Sequence, residues 1–214
     1  MTRFKLIGGT VLILALALGT LIAWWAMDLR WRPKTITKHQ QEITQILQQS
    51  GWVTSGGGAN KLYMISFRSC EDCIRFELEE FPGLHKANVD TRVILVARGA
   101  YNGIVKSTPE ERATVAQIWL DHSQWPLYED WQKVAPAAWT AEGIPPADGN
   151  IARTAIVDAG RKMVADLTPM LRDNGISFAY PLLIWWTKDG EMHGCACEKR
   201  ETYARVRKEL GAKK

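Results

Sequence analysis

Two cysteines one helical turn apart, Cys70 and Cys73, follow directly on an apolar run from Leu62 to Phe67 that reads as a buried strand. A strand that delivers a C-x-x-C to the start of a helix constrains the fold more than any other pattern in the chain. At such a junction the orphan backbone N–H groups and the helix dipole favour a thiolate at the first sulfur. The second sulfur lies close enough to displace any mixed disulfide that the first one forms. The same spacing is half of a zinc site, so the motif alone leaves redox and metal chemistry open.

The chain has 214 residues, 46% apolar and 23% charged, which suffices for one ordinary core. Its net charge of +4 comes without an aromatic-interleaved basic block, so nucleic-acid binding is not indicated. Leu6 to Met27 carries no charge. At about 1.5 Å per residue that run is long enough for a bilayer core of roughly 30 Å. It continues through Trp24 and Trp25 instead of turning polar after Ala17-Leu18-Gly19, which favours an uncleaved anchor over a signal peptide. Residues 1–32 are therefore expected to be a single-pass anchor. An even set of four cysteines suits an oxidising compartment. The remaining domain is therefore expected on the oxidising side of the membrane.

Residues 33–58 read as a stalk or linker. Ile36, Ile43, Ile46 and Leu47 share a helical face that could pair with a copy of itself or pack on its own domain, and Gly56-Gly57-Gly58 reads as a flexible break. From residue 59 onward a strand, the dithiol helix and a second strand, Val89 to Ala97, form a parallel unit. Helices follow over about 108–172, opened by Thr108-Pro109 as cap and first residue. A proline-led strand at Pro181, a turn at Lys188-Asp189-Gly190, a hairpin partner and a last helix from about Glu198 to Leu210 complete the chain.

This order resembles the thioredoxin fold, an α/β fold with a mixed sheet flanked by helices. Asn174 to Ile184 followed by Lys188-Asp189-Gly190-Glu191 is similar to that superfamily's segment around its cis-proline. The long helical insertion between Cys73 and Pro181 resembles the bacterial periplasmic thiol:disulfide interchange proteins, the disulfide isomerase and oxidase group. The resemblance implies that Cys70 is the exposed nucleophile and Cys73 the buried resolving thiol. It also implies that Pro181 is the cis-proline facing them and that Gly194 lines the substrate groove. Two departures stand out: Met64 occupies the place of the superfamily's buried acid, and Tyr180 precedes the proline where a smaller residue is usual.

Glu71 and Asp72 oppose a thiolate at Cys70 and make the couple less oxidising, while Arg68 could offset them. Cys195-Ala196-Cys197 returns on the hairpin as a second thiol pair, with His193 two residues before it. It could be a relay, a local disulfide or, with the first pair, a soft-metal site. The reading is a thiol-disulfide oxidoreductase acting on cysteines of exported proteins through a Cys70 mixed disulfide, with a membrane redox partner, a possible homodimer and no cofactor. The alternatives are an anchored periplasmic reductase serving one dedicated partner, a copper or zinc carrier built on the cysteines, and an assembly subunit with no thiol turnover.

Overall fold

The computed structural model describes residues 2–27, 29 and 32–213, with side chains for 14–26, 29 and 32–213. The chain divides into two units, 1–32 and 33–214. The first unit holds helix α1 (Thr2–Met27). Among the described residues no helix is long and apolar enough to cross a membrane. The expected anchor therefore finds no support in the structure, although the side chains of 2–13 lie outside the described residues.

The second unit is a mixed α/β structure. Its elements in order are β1 (Lys34–Thr35), α2 (Gln40–Gln49), β2 (Trp52–Thr54), β3 (Asn60–Ser66), α3 (Glu71–Lys86), β4 (Val89–Leu95), the short pair β5 (Ala100–Tyr101) and β6 (Ile104–Val105), α4 (Pro109–Leu120), α5 (Trp125–Lys133), α6 (Ile151–Arg172), β7 (Leu182–Trp186), β8 (Met192–Ala196) and α7 (Arg200–Glu209). Six strands form one sheet in the order β1-β8-β7-β3-β4-β2. β3 and β4 run parallel across the α3 crossover, and the other neighbours are antiparallel. A mixed sheet flanked by helices, with the dithiol helix leaving its central strand, is consistent with a thioredoxin-like fold.

Both faces of this sheet are covered, which is why β7 and the greater part of β3 read as apolar runs. Alternation along β3 sends Leu62 and Met64 to a core shared with Phe76 of α3, Trp131 of α5 and Tyr203 of α7. Tyr63 and Ile65 point to the other side, against Ile43 and Leu47 of α2 and Leu167 of α6. The helices over 108–172 begin as expected: the Thr108 hydroxyl accepts the Glu111 N–H at 3.1 Å.

Residues 33–58 are not a stalk. β1 adds to the edge beside β8, β2 adds to the edge beside β4, and Ile36, Ile43 and Leu47 are fully buried. The apolar face of α2 finds its partner in α6 of the same chain, as the alternative packing allowed. Nor is the glycine run a loose break. A Cβ at Gly57 would lie 2.5 Å from the Asp90 backbone, and the Gly58 N–H donates to Asn88 O at 3.1 Å. Glycine there lets the chain press against the start of β4.

Candidate functional site

β3 ends at Ser66, and the next residues turn directly into α3, whose N-cap is Cys70. The Cys70 N–H donates to Phe67 O at 3.1 Å and its carbonyl accepts the first intrahelical bond from Ile74. Cys70 Sγ accepts the Cys73 N–H at 3.1 Å, in the place where Ser or Asp caps an ordinary helix. The two sulfurs are joined as a disulfide. Drawn inward over the helix end, Cys70 is only 4% exposed and Cys73 is fully buried, so Cys70 is less open than the resemblance implied.

The acidic pair between the cysteines is split in role. Asp72 forms an ion pair with Arg75, one turn further along α3, whereas Glu71 lies exposed. Arg68 does not balance them with a loose charge. Its guanidinium donates to Gln132 Oε1 at 2.8 Å, to Trp131 O at 2.6 Å and to Val134 O, and it lies 5.4 Å from the centre of the Trp131 ring. All three acceptors lie at the C-terminal end of α5, so Arg68 ties the helical insertion to the loop that carries Cys70. Burial lowers its pKa, with Tyr128, Glu111 and Glu77 acting in the opposite direction.

Tyr180–Pro181 is a cis bond, as the resemblance implied. Pro181 directly precedes β7, and Ile65 of β3 pairs with Leu182, so the proline turn and the dithiol share one edge of the sheet. The Tyr180 ring is wedged edge-on between Phe67 at 5.0 Å and Phe178 at 5.2 Å. Arg98 caps this row, 3.5 Å over Phe67. Burial pushes the Tyr180 hydroxyl up to about 12, partly countered by Arg98. Tyr180 is thus a fixed wall of the proline turn.

No family model matches the chain, and no curated protein matches it. Among solved structures it is similar to Chlamydia trachomatis DsbA. That likeness stands at 17% identity and a TM-score of 0.39, over 74% of this chain and 89% of that one. The strand order and the place of the dithiol at the end of β3, not this likeness, carry the fold assignment.

Gly194 does not line the groove. It pairs with Ile184 in mid-strand, and a Cβ there would meet Ile36 and Ile176 at 3.1 Å, in the core on the α2 and α6 side. Cys197 is the hairpin residue at the proline edge, with its N–H donating to Pro181 O at 2.9 Å. Cys195 and Cys197 are bonded to each other. His193 turns to α7, with Nδ1 2.6 Å from Glu209 Oε2. Among the described residues no three His, Cys, Asp or Glu side chains gather as a metal site.

Two groups beside the site had no clear sequence signal. Glu77, one turn beyond Cys73, accepts the Tyr128 hydroxyl through Oε2, while its Oε1 is buried without a partner. Burial pushes its carboxyl up to about 7 against the pull of Tyr128 and Arg68. Arg75 donates to Glu198 O at 2.7 Å as well as to Asp72. A cleft of about 440 Å³ opens beside Ser69, walled by Arg68, Val105, Lys106, Glu111 and Trp139. The β5–β6 pair at its rim exposes Tyr101, Ile104 and Val105. A larger cavity of about 840 Å³ lies between α3 and α7, but its lining on α3 starts at Glu79, roughly 13 Å along the helix from Cys70.

Proposed function

We propose that this chain is a thiol-disulfide oxidoreductase that works through a Cys70 mixed disulfide resolved by Cys73. The observation that carries the reading is the position of Cys70 at the N-cap of α3, with Sγ already accepting the Cys73 N–H. A thiolate released there keeps that donor and the positive end of the helix dipole, which lowers its pKa and makes it a good leaving group. In the reducing direction Cys70 attacks a substrate disulfide, one substrate sulfur departs as a thiolate, and Cys73 then displaces the other from the mixed disulfide. Oxidation of a substrate runs the same steps in reverse. The cleft beside Ser69 and the apolar β5–β6 rim suit an extended, cysteine-bearing polypeptide. Glu71 opposes the thiolate while Asp72 is held by Arg75, which points to a couple milder than one without acids between its cysteines.

Exported proteins as substrates, a membrane redox partner and a periplasmic location with Leu6–Met27 as anchor extend the reading from the sequence. The uncharged run and the even cysteine set support them. The test is reduction of insulin disulfides with dithiothreitol as electron source. The wild type is expected to turn over, with Cys70→Ser falling to the uncatalysed background. Equal rates for the two proteins would remove the reading.

A further inference from the structure

The second cysteine pair lies at the same end of the sheet as the first. β8, β7 and β3 are neighbours in the sheet, and the ends that carry Cys197, Pro181 and Cys70 lie along one edge. Cys197 is hydrogen-bonded to Pro181 itself. From the other side α3 reaches across to the same segment. Asp72, between the two active-site cysteines, holds Arg75, and Arg75 donates to the carbonyl of Glu198, the residue after Cys197. Arg75 Nε also donates to Tyr203 Oη at 3.4 Å. Beneath this bridge Phe76 of α3, Cys195, Cys197 and Tyr203 share one core, with the Phe76 and Tyr203 rings 4.9 Å apart.

Stabilisation does not account for the second bond. A disulfide acts on the unfolded chain by closing a loop, and its effect is smallest for the shortest loops. Cys195 and Cys197 enclose a single residue, in a strand already held by β7 and β1. Their burial, 6% and 0% exposed, keeps bulky outside thiols from the pair, which shares its core with Phe76 of the dithiol helix.

We propose that Cys195 and Cys197 are a second redox couple that exchanges electrons with Cys70 and Cys73 inside the same chain. This rests on the reading of Cys70–Cys73 as a redox couple. The Cys70 thiolate attacks Sγ of Cys197, forming a Cys70–Cys197 bond and releasing Cys195, which takes up a proton. Cys73 gives up its proton, attacks Sγ of Cys70 and releases Cys197, which is protonated in turn. The first pair ends oxidised and the second reduced by two electrons and two protons, with no outside oxidant, and the exchange is reversible. The chain can then hold two electron pairs between encounters with partners.

The test follows both bonds in the oxidised full chain after dithiothreitol is added, by acid quenching, alkylation and peptide mass spectrometry. In the wild type the Cys195–Cys197 bond is expected to open after Cys70–Cys73. In Cys70→Ser its opening slows by about tenfold or more, because the buried pair loses its internal donor. Equal rates in the two proteins, or a Cys195–Cys197 bond that stays closed in a wild type fully reduced at Cys70–Cys73, would overturn the proposal. Cys73→Ala combined with Cys195→Ala leaves Cys70 and Cys197, which should form an intrachain disulfide on oxidation. A variant with the wild-type circular dichroism spectrum but no such bond would also overturn it. Insulin turnover is read separately. Turnover with equal opening rates removes this proposal alone, whereas slowed opening without turnover removes the proposed activity and leaves the internal exchange.

Discussion

Burial leaves Glu77 with one carboxyl oxygen that no donor reaches, and this single residue gives the neighbourhood of the dithiol a pH dependence. Its carboxyl is raised from 4.5 to about 7, mainly by desolvation. Between those values the folded chain keeps a proton that the unfolded chain releases, so stability falls as pH rises through that window. Glu77→Gln retains an acceptor for the Tyr128 hydroxyl and cannot ionise. It is expected to be more stable than the wild type above pH 7 by about 2–3 kcal/mol, an advantage that vanishes near pH 4. Urea unfolding across that range measures it, and parallel curves for the two proteins would refute it. Glu77 was hidden in the sequence because its environment is made by Tyr128 of α5 and by Arg68, groups that only the fold brings to α3. Cys70 and Cys73 were legible because their chemistry depends on local spacing and on the helix they start.

At the scale of elements, legibility followed length and periodicity. β3, α3, β4 and the hairpin β7–β8 each carry enough apolar or turn pattern to be read alone, and they were. β1 and β2 are two and three residues long. Strands that short have no period to detect, and what makes them strands is a partner elsewhere in the chain. Without them α2 looked like a stalk. Gly194 was misplaced for a related reason: a match by order along the hairpin does not fix which residue reaches the edge, and the register puts Cys197 there. Ile43→Ala tests the placement of α2. A fully buried isoleucine packed against α6 should lose about 2–4 kcal/mol on truncation, whereas a solvated stalk would stay within about 0.5 kcal/mol of the wild type. Unfolding free energies from urea titration separate the two cases.

Over the whole molecule, function depends on how the sheet gathers distant segments at one edge. The dithiol comes from the end of β3, the proline turn from the start of β7, Cys197 from the end of β8, and Arg68 and Arg98 bind this edge to the insertion and the aromatic row. The insertion helices serve that edge, since the end of α5 is held by the residue two positions before Cys70. The order of these segments was readable from the chain, whereas their side-chain junctions were not, because each joins residues far apart in sequence. In the proposed activity Cys70 forms the covalent bond to a partner and Cys73 releases it. Incubating Cys73→Ala with a cysteine-containing peptide disulfide, and locating the adduct by peptide mass spectrometry, tests this directly. The expected result is a stable mixed disulfide on Cys70 that persists in Cys73→Ala, is resolved in the wild type and is missing from Cys70→Ser. An adduct carried only by another cysteine, or none on Cys70 in a folded Cys73→Ala chain, would contradict it.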